Sequence, residues 1–188
     1  VLVLTIDTLR ADRLGCYGFA GIETPAIDRL AGSGVRFGRC IAPTPLTLPS
    51  HTSIMTGTLP LFHGVRDNGG YIVPPALTTL AESFKEGGYR TGAFVAAYVL
   101  DSKWGLDQGF ETYFDDFDLS RYEKISLASV QRRAGEVLDA ALPWLEAGSD
   151  RPFFAWIHLY DPHTPYEPPA PFDARYPDRP YLGEIAYA

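Results

Sequence analysis

The stretch VLVLTID, residues 1–7, decides how the rest of the chain is read. Its first six residues form a short apolar run rich in branched side chains, the pattern of a strand buried on both faces of a parallel sheet. The run stops at a carboxylate, Asp7. A second such run, PFFAWIHL at 152–159, exits into the proline-rich loop YDPHTPYEPP. YRTGAFVAAYVL (89–100) reads as a further strand, and VRFGRCIA (35–42) as another candidate. Between them lie helical patterns. Thr24-Pro25 is a helix start followed by AIDRLAGSG, a short helix is expected between Pro49 and Gly57, and ALTTLAESFKEGG closes on paired glycines. Residues 120–147 are mostly helical in pattern with a break expected at Pro143, and GEIAYA begins another helix. Strands alternating with helices predict an α/β fold, layered, with a largely parallel sheet flanked by helices. Sites in such sheets gather at the carboxyl ends of strands, which places Asp7 and the Asp161–His163 segment on one edge.

A length of 188 residues and 46% hydrophobic content suit one globular domain. Sixteen basic residues against 23 acidic ones give a net charge of -7, so a nucleic-acid surface would have to work against the global field. No basic patch is evident; Arg132 and Arg133 are expected on a solvated face. Cys16 and Cys40 define neither a disulfide framework nor a zinc site, although one bridge between them stays open. No run approaches the roughly 20 apolar residues of a membrane span. The proline-rich stretch 162–180 is expected to be a surface loop packed by its Tyr and Phe residues.

Three places carry candidate chemistry. Asp7, just past an apolar strand, must find a partner or hold a cation, because an unpaired buried carboxylate is costly; Arg10 and Arg13 are the ion-pair alternatives. Thr47 stands at an expected helix N-terminus, where backbone N–H groups favour an anion, and taken in isolation reads as an ordinary N-cap threonine. His163, stiffened by prolines on both sides, suits proton delivery to a leaving group or a simple hydrogen bond to Asp161. His158, inside the apolar strand, reads as a core histidine.

VLVLTIDTLRADRLGCYG (1–18), TLPSHTSIMTGTLPLFHGV (47–65) and DPHTPYEPP (161–169), in this order, resemble the N-terminal half of the sulfatase family within the alkaline phosphatase superfamily. The resemblance implies an alkaline-phosphatase-like layered fold, incomplete at its C-terminus, with residues 1–188 forming the N-terminal part of a single catalytic domain. It implies that Asp7 binds a divalent metal, Zn, Mn, Ca or Mg, with further ligands beyond residue 188. It sets Thr47 at the nucleophile, where sulfatases carry a cysteine oxidised to formylglycine, and also on the metal. It sets His51 at the motif arginine and His163 at the later motif histidine. Thr47 to His51, TLPSH, satisfies the T-x-P-x-H pattern of the nucleotide pyrophosphatase/phosphodiesterase branch, whose substrate-binding asparagine Asn68 resembles, twenty-one residues on. The second aspartate of the sulfatase metal pair is Thr8 here, and the cationic sulfate clamp would fall on VAAYV at 95–99, without a cation.

The implied activity is a metal-dependent hydrolase of phosphate or sulfate esters, forming a covalent intermediate on Thr47. Its substrate would be a small molecule, or a glycan or lipid-headgroup ester, with phosphate esters favoured by an unconverted threonine. The N–H groups after Pro49 and Asn68 would bind substrate oxygens, His51 would orient substrate, and His163 would serve the leaving group. This length of chain alone is expected to be inactive. A phospho-group transferase and a catalytically silent anion-binding relative are the alternatives.

Overall fold

A parallel four-stranded sheet in the order β1-β4-β2-β3 organises the chain, built from β1 (Leu2–Ile6), β2 (Arg90–Val95), β3 (Thr112–Phe114) and β4 (Phe153–Leu159). The computed structural model describes residues 1–122, 125–127 and 129–188. Helices are α1 (Pro25–Ser33), α2 (Thr47–Thr56), α3 (Pro60–His63), α4 (Leu80–Glu86), α5 (Ala134–Glu146), α6 (Phe172–Arg175) and α7 (Pro180–Tyr187). β4 is central, which is why PFFAWIHL is apolar throughout: Phe154, Ala155 and Trp156 are fully buried. It pairs with β2 in the register Gly92↔Ala155 and Phe94↔Ile157. β1 lies at the sheet's edge, with the Val1 carbonyl accepting from the Ala155 amide, and Leu2 and Leu4 stay about half exposed. The expectation of burial on both faces therefore fails for β1.

The chain forms two compact units. The first, Val1–Thr5 with Ala42–Leu159, holds the sheet and α2 to α5. Gly92 is required there by packing. A Cβ on it would lie 2.7 Å from the Trp144 ring, so β2 lets α5 close onto the sheet. Thr79 begins α4 with a reciprocal capping box to Glu82, which starts that helix later than its apolar pattern does. The second unit, Ile6–Ile41 with Tyr160–Ala188, buries Leu14, Ile22, Leu182 and Ile185.

Four expectations are corrected. Residues 35–42 form no strand: Val35, Phe37 and Ile41 are exposed, and the Phe37 carbonyl accepts from the Tyr17 hydroxyl instead of from a strand. Pro143 lies inside α5 rather than ending it, since one lost backbone bond is tolerated in a helix whose Val137 and Ala141 are buried. The helical reading of residues 120–133 holds only at Ser120 and Arg121, in the 3-10 turn Leu119–Arg121, because α5 begins only at Ala134; residues 123, 124 and 128 lie outside the described residues. Arg132 is buried, its guanidinium 4.2 Å from the ring centres of both Phe114 and Phe117. Cys16 and Cys40 are both free thiols.

Candidate functional site

Thr47 is the first residue of α2, one position deeper than a cap, and Leu46 precedes it in extended conformation. The first amides of a helix lack intrahelical acceptors, and here the protein supplies them. The Leu48 N–H donates to Asn68 Oδ1 at 2.9 Å, Pro49 has no N–H, and the Ser50 N–H closes on the Leu46 carbonyl at 3.0 Å. The Leu48 and Ser50 amides are thus both engaged internally. Because Asn68 meets Leu48 through its oxygen, its Nδ2 is the half of the amide left to donate. α2 ends at Gly57, whose φ of 66° explains the glycine of the Thr56-Gly57 pair.

His51 lies one turn beyond Thr47 and is buried. Its Nδ1 is 2.8 Å from the Thr47 carbonyl, which can only accept, so Nδ1 carries the proton. In the neutral ring Nε2 then accepts from Thr5 Oγ1 at 3.2 Å, and Thr5 Oγ1 itself accepts from Trp156 Nε1 at 3.1 Å. A chain of donors thus runs from β4 through β1 to the turn that carries Thr47. The ring also meets His158 edge-on at 4.8 Å, within the buried core where that histidine was expected. Both ring nitrogens of His51 are engaged by protein oxygens, which makes it a brace for Thr47.

His63 does the same work from α3, a role the sequence reading missed. The Val65 N–H donates to its Nδ1 at 3.1 Å, so Nε2 bears the proton and donates to Ser53 Oγ at 3.0 Å. That polarity rules out His63 as a base for Ser53. Burial holds its pKa below the ordinary histidine value. The signal available in sequence was the spacing of Ser53 and His63 on either side of Gly57, which does not reveal a tautomer.

In the second unit Asp7 is half-buried directly after β1. The Tyr160 phenol is held protonated well above its usual range, by burial first and by the Asp7 carboxylate second. Arg10 pairs with Asp12 at 2.7 Å, and Arg13 lies 4.0 Å from the same carboxylate. Thr8 adopts φ 53°, a strained value for a β-branched residue. It is held by its hydroxyl, which donates to the Pro162 carbonyl at 3.0 Å, and by Tyr181, whose hydroxyl donates to the Thr8 carbonyl at 2.7 Å. His163 stacks on Tyr160 with centroids 4.2 Å apart, and its Nδ1–H donates to the Thr164 carbonyl at 2.7 Å. Its Nε2 is the ring atom left for chemistry.

The first unit thus brings Thr47, His51 and Asn68 together, and the second brings Asp7 beside Tyr160, on whose ring His163 stacks. Asp7 carries a hard carboxylate donor of the kind that suits Mg, Ca, Mn or Zn. Among the described residues no group of three or more His, Cys, Asp or Glu could hold a metal ion.

The sulfatase family model matches residues 1–186. The chain belongs to the sulfatase family. This sulfatase-family chain is 34% identical over 113 residues to the N-acetylgalactosamine-6-O-sulfatase of Bacteroides thetaiotaomicron, covering 58% of the chain and 21% of that protein. It superposes with TM-score 0.79 and 22% identity on a protein solved with its substrate D-glucosamine-2-N,6-O-disulfate, over 95% of the chain and 37% of that protein. It superposes with TM-score 0.72 and 24% identity on the phosphonate monoester hydrolase of Agrobacterium radiobacter, over 92% of the chain and 43% of that protein. These likenesses establish the alkaline-phosphatase-like fold expected from sequence. The sulfatase-family chain spans between about a sixth and two-fifths of the length of the curated relatives it matches.

Proposed function

We propose that the chain carries the nucleophile part of a metal-dependent hydrolase of sulfate or phosphate esters, with Thr47 as nucleophile. The observation that supports this best is the bracing of α2's first turn: His51 holds the Thr47 carbonyl, and Asn68 caps Leu48 while keeping Nδ2 for an oxygen of the ester. Asp7, with ligands beyond residue 188, would hold the divalent cation. Such a cation lowers the pKa of bound water from about 15.7 to about 7 and would act likewise on the threonine hydroxyl.

Thr47 Oγ loses its proton to water and bonds to sulfur or phosphorus; the ester oxygen leaves with the electron pair of the broken bond. His163, whose Nδ1–H is committed to Thr164, donates to that oxygen only as imidazolium, through Nε2–H. Water then attacks the threonyl ester and gives a proton to Nε2, and Thr47 leaves and is reprotonated. Asn68 Nδ2 stabilises charge on a non-bridging oxygen. Threonine cannot become formylglycine, so the ester must be cleaved at an ordinary alcohol, which favours phosphorus over sulfur. Relatives named as glycan sulfatases favour a sugar ester as the substrate class.

The full-length gene product, assayed with Mn, Zn or Ca, is expected to cleave an aryl phosphodiester faster than an aryl sulfate, and Thr47→Ala to abolish both. Faster sulfate turnover would reverse the substrate preference. An active Thr47→Ala enzyme would remove the nucleophile. Transfer of the group to an added alcohol in place of water would identify a transferase, and binding of anions without turnover a silent relative.

A further inference from the structure

Asp7 and His163, the groups proposed to hold the cation and to serve the leaving oxygen, lie on two separate stretches of chain that a hydrogen bond joins. The Thr8 hydroxyl donates to the Pro162 carbonyl at 3.0 Å, across 154 positions of sequence. Thr8 follows Asp7, and Pro162 precedes His163. The bond therefore ties the residue beside one group to the residue beside the other. On the Pro162 side the turn is closed by the His163 N–H, which donates to the Tyr160 carbonyl at 2.8 Å.

On the Thr8 side the anchor comes from α7. The Tyr181 hydroxyl donates to the Thr8 carbonyl at 2.7 Å and accepts from the Arg10 N–H at 3.0 Å. One phenol oxygen thus pins the turn after β1 at residues 8 and 10. Tyr181 is itself held: its ring packs 5.3 Å from that of Tyr166, centre to centre, and its chain neighbour Leu182 is in the core of this unit. Among the described residues Thr8 is the one non-glycine with positive φ, so the backbone outlier and the tie fall on the same residue. Thr8 is exposed, and its side chain gains no core packing from that conformation. Glycine would adopt it freely. What threonine adds is the hydroxyl, and Pro162 takes it. Backbone strain persists only where neighbouring contacts over-determine it, and it concentrates at functional sites.

We propose that Thr8 and Tyr181 are positioning residues, which set where the Asp7 carboxylate and the His163 imidazole stand relative to each other without touching the ester. This rests on the function proposed above. The full-length gene product is compared with Thr8→Val, Thr8→Ser, Thr8→Gly and Tyr181→Phe. Each is measured for kcat and KM with manganese on the aryl ester that the unaltered protein cleaves faster, for manganese affinity by calorimetry, and for unfolding temperature. Thr8→Val keeps the branched shape and loses the hydroxyl; kcat and manganese affinity are each expected to fall about 10- to 100-fold, with KM changed far less. Thr8→Ser restores the hydroxyl and should recover most of both. Tyr181→Phe leaves the Thr8 hydroxyl in place and should lose about tenfold. Thr8→Gly relieves the strain, so its unfolding temperature should be no lower than that of Thr8→Val while its kcat is as low.

A bond that served stability alone would move the unfolding temperature and leave kcat and manganese affinity unchanged in the folded enzyme, and that result would overturn the proposal. So would a Thr8→Ser enzyme as impaired as Thr8→Val. An unaltered protein that binds manganese and cleaves the ester, with variants that do both equally well, sinks this proposal alone. One that does neither sinks the proposed function, and this proposal with it.

Discussion

Replacing His51 is the perturbation whose size the structure lets one work out. His51→Ala removes two buried hydrogen bonds, at 2.8 Å to the Thr47 carbonyl and 3.2 Å to Thr5 Oγ1, and a ring packed against His158 and Trp156. Each hydrogen bond contributes about 1 kcal/mol net, and an aromatic-sized cavity adds about 2 kcal/mol or more. The expected destabilisation is about 3–4 kcal/mol. His51→Phe keeps the ring and loses the bonds, for about 2 kcal/mol. The sharper test is a double-mutant cycle between His51→Phe and Thr5→Val, read by urea unfolding of the full-length gene product. If Thr5 Oγ1 links Trp156 to His51, the two changes are coupled by about 1 kcal/mol. On the proposed function, His51→Phe also lowers kcat more than it raises KM, because Thr47 is less well held while substrate contacts remain. Additive unfolding energies, within about 0.3–0.5 kcal/mol, would refute the donor chain.

Other expectations follow from single contacts. Asn68→Asp keeps an oxygen for the Leu48 N–H but removes Nδ2 and adds a negative charge; kcat/KM should fall about 100- to 1,000-fold with the fold intact, measured on an aryl ester. Burial lowers the folded-state pKa of His63 below its unfolded value of 6.5. Folding therefore excludes a proton there, and stability should be full above about pH 6.5 and fall as the pH drops toward the folded pKa. His63→Gln should flatten that part of the stability-against-pH curve. Gly92→Ala drives a Cβ to 2.7 Å from Trp144 and should cost about 1–3 kcal/mol in chemical denaturation, against nearly nothing for Gly148→Ala, where a Cβ meets no atom within 4 Å.

Runs buried on both faces were legible in the sequence, as β4 illustrates, because every position of a central strand must be apolar. Residues 35–42 were not, because alternation describes a strand only when a partner strand exists, and here the Phe37 carbonyl takes a tyrosine hydroxyl. β3 escaped notice because three residues carry no period. Arg132 was misread for a different reason: a charge is ordinarily solvated, and only the meeting of Phe114 and Phe117 around it shows otherwise. In the candidate site the residue types could be named from motif order, but not their hydrogen-bond polarity. That His51 faces the Thr47 carbonyl, and that Asn68 turns its oxygen to Leu48, depend on contacts between segments far apart in sequence.

The central claim is that Thr47 Oγ becomes covalently bonded to the transferring group. Rapid acid quench of the full-length gene product with an aryl phosphodiester or aryl sulfate, followed by peptide mass spectrometry, tests it directly. A phospho or sulfo group on Thr47, with no labelled peptide from Thr47→Ala, is the predicted result. Turnover at full rate with the label on another residue, or on none, would contradict it.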